Sequence, residues 1–494
     1  VAKSRLVTLL VLVGLMIPLT MLKGEQARYR PNGAPARTQL QTSPGTGPIQ
    51  NLLLVTIDAL RADHLGAYGY ERPTSPVIDS LAAESVLFEH CFSQGNRTEL
   101  SMGSMFTSLY PSMHSVRRVK YMANALPDEI ETLAESLRDA GLRTVGLMDN
   151  PYLKREWGLT QGFDLVKEFH YGYLGLLPVR CLLRLGLLSS PNRVPLAPVP
   201  RADLVIDEAI RQLRHLKDRP FYLYVHLMDV HHPYIPPKPY EASFQTPGAS
   251  STQAKSFWMS HWAVFNMLPS EEELLPRADL LRVTDLYDAA IRYVDAQIGR
   301  LLKQMDLLGL SENTLVILTS DHGDEFLEHG DILHKNQFLY DELIHVPLII
   351  RTPGNEKPRR VEEIVRHIDF LPTVQEIFGL PIGGDVQGQS LKPLLFGSPG
   401  WVEVPAFSQS YEFAAVRTQT HKLMYNLPNG KSHCFDLLVD PAEMNNVYGE
   451  AAACESLESA LMKFLLKVII PHDRDNLQEI DERTREQLRS LGYM

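Results

Sequence analysis

Cysteine is scarce: four residues in a chain of 494. Four thiols in that length exclude a scaffold built on disulfides, which needs a short and cysteine-dense chain. Basic residues are outnumbered, with 48 Lys and Arg against 59 Asp and Glu, giving a formal net charge of −11. Nucleic-acid affinity rests on Lys and Arg meeting phosphates, so no nucleic-acid partner is expected. Smaller anions are not excluded, because a local site can be positive on an acidic protein. Internal repeats and sustained low-complexity stretches are missing as well. What remains is an ordinary globular composition, 44% hydrophobic and 22% charged. It suffices for one large α/β domain plus a smaller one.

The N-terminus reads as a targeting segment. Lys3 and Arg5 precede an apolar run from Leu6 to Leu22, closed by Lys23. A basic start and a short apolar core fit an export signal. No clean small-x-small cleavage site follows, so an uncleaved membrane anchor fits equally well. The run is a little short of the about 20 residues of a comfortable span. Residues 1–23 are assigned to one or the other, and the bulk of the chain is expected in the periplasm or another extracytoplasmic space, free or anchored to the cytoplasmic membrane. Residues 24–50 carry Pro31, Gly33, Pro35, Pro44, Gly45, Gly47 and Pro48 with no apolar period, and read as a linker.

Folded sequence starts at Asn51. The run NLLLVTID is almost continuously apolar and ends in a carboxylate, the pattern of a strand buried on both faces. Similar runs recur at Thr144–Met148, Phe221–Leu227, Thr314–Thr319 and Val346–Ile350. Helical periods separate them at Glu129–Ala140, Ala202–Leu216 and Leu280–Leu308. Alternating strands and helices predict an α/β fold with a large, mostly parallel sheet flanked by helices. Ligands of such sheets sit beyond the carboxyl ends of the strands, where Asp58, Asp149, Asp229 and Asp321 fall. Residues 51–387 are taken as this domain. Residues 388–494 read as a smaller α+β subdomain, with strands near Ala406–Ser410, Ala415–Tyr425 and His433–Leu438 and helices at Cys454–Ile469 and Leu477–Leu491. Two stretches, 170–200 and 235–279, look inserted; the first reads as a packed amphipathic helix and the second as a lid.

Four segments carry candidate chemistry. Asp58, in VTIDALRADHLGAYGY, is a hard oxygen ligand at a strand end, although such an Asp is often a helix cap. Thr98, in NRTELSMGSMFTSLYPSMHSV, stands before small residues that suit a helix start. There free N–H groups stabilise anionic oxygen, and a metal can activate the hydroxyl; the bland reading is an N-cap. Asp321 and His322, in TSDHGDEFLEHG, offer an oxygen and a nitrogen ligand from one loop, with His334 just downstream. In HLMDVHHPYIPP, His231 stands at a strand end and could protonate a leaving oxygen. Arg61, Arg97 and Lys335 are candidate anion contacts.

Together these segments resemble the sulfatase branch of the alkaline phosphatase superfamily. DALRADHLGAYGY is similar to the family's first metal strand and turn, FTSLYPSMHSV to the segment after its nucleophile, and YDAAIRYVDAQIGRLL to the helix before its second metal strand. TSDHGDEFLEHG and LYDELIHVPLIIR resemble the second metal loop and the strand that follows. Lesser echoes are TQGFDLV, HIDFLPTVQEIFGL, GQSLKPLL, CFDLLVDPAEMNN and LRSLGYM. The resemblance implies an alkaline-phosphatase-like fold, one divalent metal ion (Ca, Mg, Mn or Zn) on Asp58, Thr98, Asp321 and His322, and an anionic sulfate- or phosphate-ester substrate.

This chain departs from the formylglycine type of sulfatase. Counting back from Thr107, the nucleophile position holds Thr98 in the string TELSM, with Leu100 for the family's Pro and Met102 for its Arg. Thr is not converted to formylglycine. The chain is therefore similar to the Thr-nucleophile members, which include phosphoester and phosphonate hydrolases and phosphoglycerol transferases. Ala59 stands where many sulfatases have a second metal-binding Asp. The Asp-x-x-x-His spacing of two-zinc relatives occurs at Asp341 and His345, inside a segment already matched to the sulfatase branch, and is read as structural. The expected chemistry is metal-dependent hydrolysis through a covalent Thr98 ester, with His231 or His334 as proton donor. The alternatives are transfer of a phosphoglycerol- or phosphoethanolamine-type headgroup at the membrane, and a non-catalytic envelope binding protein. Oligomeric state is not legible.

Overall fold

The computed structural model describes residues 49–119, 122–169, 201–253, 276–334, 337–354, 358–383, 385–468 and 477–479. Residues 1–48, on which the expected targeting segment and most of the linker fall, the 170–200 insertion, residues 254–275 of the second insertion and Lys335 lie outside the described residues. Among the described residues no helix is long and apolar enough to cross a membrane.

Twelve strands frame the fold: β1 Asn51–Ile57, β2 Val86–Phe92, β3 Arg143–Met148, β4 Leu165–Glu168, β5 Phe221–Leu227, β6 Thr314–Ser320, β7 His345–Arg351 and β8 Arg359–Arg366, then β9 Ala406–Gln409, β10 Phe413–Arg417, β11 His421–Asn426 and β12 Ser432–Asp436. The helices that matter here are α1 Pro76–Ala83, α2 Thr98–Thr107, α3 Leu133–Asp139, α4 Ala202–Leu216, α5 Arg277–Leu307, α6 Phe370–Ile377 and α7 Ala452–Val468. The first eight strands form one sheet in the order β8-β2-β7-β6-β1-β5-β3-β4. Only β7 runs antiparallel to its neighbours, β2 and β6; the other pairings are parallel. This is the large, mostly parallel sheet that the alternation of apolar runs and helical periods predicts.

Side chains of a strand alternate between faces, and β1 shows how that builds the layers. Leu52 and Leu54 join a cluster with Met102, Met105 and Phe106 of α2 and Leu137 of α3. Leu53, Val55 and Ile57 join a second cluster with Ile78 of α1, Val205 and Ile206 of α4 and Val294 and Ile298 of α5. Every residue of β1 is buried, because helices cover both faces.

The segment after Gly388 supplies a four-stranded antiparallel sheet, β9-β10-β11-β12. One face packs on α7 through Val416, Leu423, Leu457 and Leu461. The other meets the main sheet, where Phe413, Ala415 and Met424 cluster with Phe92 and Ile364. A disulfide joins Cys434 of β12 to Cys454 of α7. The expected single strand Ala415–Tyr425 is in fact two: Thr418 caps a tight return to His421, and β10 and β11 pair as a hairpin. The helix expected from Leu477 is also corrected at its start. Leu477–Glu479 is a strand paired with Met122–Asn124, so these residues complete a small sheet. The helix expected over Glu129–Ala140 begins only at Leu133, because Thr132 and Glu135 form a capping box there.

Candidate active site

Four segments converge beyond the carboxyl ends of β1, β3, β5 and β6. Asp58 leaves β1, where its N–H donates to the Leu227 carbonyl at 2.8 Å. Ala59 turns the chain with a φ of 58°, left-handed backbone that costs a β-carbon residue about 1–2 kcal/mol. Its N–H donates to Asp321 Oδ1 at 3.2 Å, and its carbonyl accepts from the Tyr287 hydroxyl at 2.8 Å. The residue lacking the family's carboxylate thus serves through its backbone. Asp321 and His322 follow β6, and Ser320 Oγ ties this turn to the first by accepting from Leu60 N–H and donating to the Ile57 carbonyl.

Thr98 is the first residue of α2, with Arg97 at the N-cap position making no side-chain cap. The hydroxyl is therefore not the bland N-cap; it stands at the helix start among N–H groups that have no intrahelical partner. All ten residues of α2 are buried. Ser101 Oγ donates to the Asp321 carbonyl, which fastens the helix to the second turn. Met102, in the position of the family's Arg, is fully buried and receives the Tyr224 hydroxyl on its sulfur at 3.9 Å.

The geometry at the centre is compact. Ligand atoms of Asp58, Asp321 and His322 all lie within 4.8 Å of one another. His322 Nδ1 donates to the Gly323 carbonyl at 2.9 Å, which leaves the lone pair on Nε2. That Nε2 is 3.7 Å from Asp58 Oδ1, 3.6 Å from Asp321 Oδ2 and 3.5 Å from Thr98 Oγ1. Both of these carboxylate oxygens are buried without a hydrogen-bond partner. Burial, then the neighbouring Asp321 charge, holds the Asp58 carboxyl well above its ordinary range. Two orphaned carboxylate oxygens facing an imidazole lone pair are what a divalent cation would satisfy. The donor set fits the implied metal.

Asn150 was not among the residues expected from sequence. It follows β3, and its Oδ1 accepts from Tyr152 N–H at 2.8 Å, which fixes the amide. Its Nδ2 then donates to Asp58 Oδ2 at 2.6 Å and to Thr98 Oγ1 at 3.2 Å. His226 of β5 was missed too. It is fully buried, 3.5 Å from Asp58 Oδ2, with burial pulling it down to about 4.

His334 and His231 flank the centre. The rings of His322 and His334 are 4.5 Å apart, and those of His231 and His334 5.0 Å. His334 Nδ1 donates to Asp324 Oδ1 at 2.6 Å, and Tyr234 donates to the other oxygen of Asp324. Burial and then the neighbouring imidazoles hold both His231 and His334 well below the ordinary histidine range.

Arg97 borders the centre, where its charge acts on His334, and the other candidates are engaged elsewhere. Arg61 is not an anion contact: Asp63, Glu328 and the Asp324 carbonyl occupy its guanidinium. Arg97 lies over the Tyr411 ring at 5.8 Å. Asp229 faces the Ala202 N–H at the start of α4 and is pushed up to about 7 by burial. Asp341 pairs with Lys422 at 2.7 Å, and His345 Nε2 donates to the Glu89 carbonyl at 2.7 Å, so this pair is structural.

Comparison with known proteins agrees with this architecture. The sulfatase family model matches residues 50–380, and the model for the C-terminal region of N-sulphoglucosamine sulphohydrolase matches 328–470. An ulvan-active sulfatase of Formosa agariphila is 26% identical over 424 residues, 81% of this chain and 77% of that one. An arylsulfatase of Clostridium perfringens is 25% identical over 84% of this chain and 94% of its own length. An N-acetylglucosamine-6-O-sulfatase of Bacteroides thetaiotaomicron reaches 33%, over only 36% of this chain and 34% of its own. Among solved structures, the phosphonate monoester hydrolase of Agrobacterium radiobacter superposes with a TM-score of 0.67 at 22% identity, over 85% of this chain and 95% of that one. A structure in complex with its substrate D-glucosamine-2-N,6-O-disulfate superposes at 0.66 and 21%, over 86% of this chain and 99% of that one. With two thirds of its length under the family model, the chain belongs to the sulfatase family of enzymes, on the fold of the alkaline phosphatases.

Proposed function

We propose that this chain cleaves sulfuric or phosphoric esters through a covalent ester on Thr98, without formylglycine. The observation that carries the reading is the set of two unpartnered carboxylate oxygens and one imidazole lone pair gathered around the Thr98 hydroxyl. Asp58, Asp321 and His322 would hold one divalent cation, with Thr98 beside it. When bound, that cation supplies positive charge that lowers the pKa of a hydroxyl and offsets the charge of the ester oxygens.

The chain's own groups do the rest. Thr98 Oγ attacks the sulfur or phosphorus in line, so a Thr98 ester bond forms as the bond to the leaving oxygen breaks. The Asn150 amide, already donating to Thr98 Oγ1, supports negative charge on that oxygen once its proton has passed to solvent, a loss balanced by the proton that the leaving oxygen gains. The free N–H groups at the start of α2 face the same charge. His231 or His334 gives a proton to the departing oxygen. Both imidazoles are held neutral by burial, so the proton enters with the anionic ester, whose charge raises their affinity for it. Water then releases the group from Thr98.

We assign the work to an extracytoplasmic compartment. The disulfide between Cys434 and Cys454 supports that assignment, since such bonds persist in oxidising spaces.

The test is a panel of sulfate esters, phosphate monoesters, diesters and phosphonates on metal-reconstituted protein. Thr98→Ala should abolish turnover, and quenched wild-type protein should carry sulfate or phosphate on the peptide holding Thr98. Full metal-dependent turnover by Thr98→Ala sinks the covalent mechanism.

A further inference from the structure

His226 breaks the rule that buried polar groups are paired. The ring is fully buried, and among the described residues neither Nδ1 nor Nε2 has a hydrogen-bond partner. It stands on β5, in register with Thr56 of β1, two residues short of the Asp58 turn. A polar ring stripped of water in the middle of the main sheet needs a reason.

The nearest charged group supplies one. His226 Nε2 is 3.5 Å from Asp58 Oδ2, the oxygen that accepts from Asn150 Nδ2 at 2.6 Å. The other oxygen, Asp58 Oδ1, lies 3.7 Å from His322 Nε2 and has no partner. The carboxylate is thus divided between two sides. Oδ1 turns toward the ligand atoms of His322 and Asp321, while Oδ2 turns toward two nitrogen groups of the scaffold. A neutral imidazole has one N–H to give, and the carboxylate oxygen in front of Nε2 places it there. A charge-assisted N–H···O bond runs to about 2.7–2.9 Å, so the ring has a gap of roughly 0.7 Å to close.

We propose that His226 is a positioning residue for the cation at Asp58: its Nε2–H, together with the Asn150 amide, holds Oδ2 and so aims Oδ1 at the ion. Outer partners of this kind fix the orientation of a ligand and raise its affinity for metal. The ring is not itself a ligand, since the donor atoms that gather within 4.8 Å are those of Asp58, Asp321 and His322. The inference rests on the reading of those three residues as a cation site.

Isothermal titration of the chelator-stripped full chain with calcium, magnesium and manganese tests the proposal, with melting in EDTA as the control on the fold. Wild type is expected to bind one ion. His226→Phe keeps a ring and removes both nitrogens. It should bind the same ion about 10–100-fold more weakly. In EDTA it should melt at or above wild type, because an orphaned polar ring gives way to an apolar one. His226→Leu carries the same expectations where the Phe variant does not fold. His226→Gln, which keeps an N–H donor, should recover most of the affinity; binding as weak as that of His226→Phe refutes the N–H as the cause. Equal affinity in wild type and His226→Phe overturns the role of His226 and leaves the cation site standing. Weaker binding in a variant that melts well below wild type in EDTA marks a structural loss and overturns it too. No ion bound by wild type overturns the reading of the centre and this inference with it.

Discussion

Replacing Asp321 by Asn separates the two effects of a buried carboxylate at this centre: repulsion when no cation is bound, and ligation when one is. The substitution is nearly isosteric, and Asn Oδ1 can still accept from Ala59 N–H and His322 N–H. At pH high enough for both carboxyls to be ionised, what is lost is one negative charge within 4.8 Å of the Asp58 ligand oxygen, a repulsion of about 3 kcal/mol at an effective dielectric of about 20. For a chain of this length about 1 kcal/mol moves Tm by about 1 °C. In EDTA, Asp321→Asn should therefore melt about 2–3 °C above wild type. Metal reverses the order. An ion present at a thousand times its Kd stabilises the folded protein by about 4 kcal/mol, and only the wild type should respond. Differential scanning fluorimetry with calcium, magnesium or manganese reads both signs. The pH dependence follows from the raised Asp58 carboxyl. Folded protein holds that proton more tightly than unfolded, so the stabilisation is full below the unfolded value and is lost as pH rises through the folded one. In EDTA, wild-type Tm should fall with rising pH, and Asp321→Asn should fall less steeply. A variant that melts below wild type in EDTA yet still responds to the same ions refutes the assignment of Asp321 as ligand.

Three further outcomes are expected. Asn150→Ala should lower kcat about 10²–10³-fold, the usual loss for one preorganised donor to an oxyanion, with KM little changed in steady-state assays. Lys422→Met leaves the buried Glu443 and the half-buried Asp341 without their shared cation, with Arg417 remaining 3.4 Å from Asp341 alone. It should cost about 3–5 kcal/mol in denaturant unfolding, whereas equal midpoints would show that the trio contributes nothing. Cys434→Ser opens a bond that closes 20 residues and should cost about 3 kcal/mol on the loop-entropy scale, a loss that reductant should reproduce in wild type.

The sheet was legible where its strands are apolar on both faces. Phe221–Leu227 is the same in sequence and structure, and β1, β3, β6 and β7 differ by a residue or two at the ends. β2, β4 and β8 went unread. β2 carries half-buried Glu89 and His90, while β4 and β8 are edge strands that alternate with Lys, Arg and Glu. At the site, the strand-end rule found Asp58 and Asp321, whose spacing to β1 and β6 is fixed by the sheet. The same rule pointed to Asp229, which serves the start of α4 instead. Asn150 escaped because a lone neutral amide has no spacing signature; only folding brings it within reach of residues 52 and 92 positions away. Its one available signal was a hydrogen-bonding residue directly after the apolar run ending at Met148.

The nucleophile segment leans on residues made very late. Ser408 Oγ donates to the Ser93 carbonyl, and the Gln409 N–H to that of Gln94, while Tyr411 donates to Glu99 across 312 residues. β1 is no more self-sufficient, since both of its neighbours, β5 and β6, come long after it. A chain leaving the ribosome or a secretion channel therefore carries its Thr98 for most of synthesis without the strands and loops that hold it. The contacts that hold the nucleophile segment are complete only when the chain through Tyr411 is present. Order of synthesis thus acts as a timer: the reactive centre can be completed only once nearly the whole polypeptide has been made.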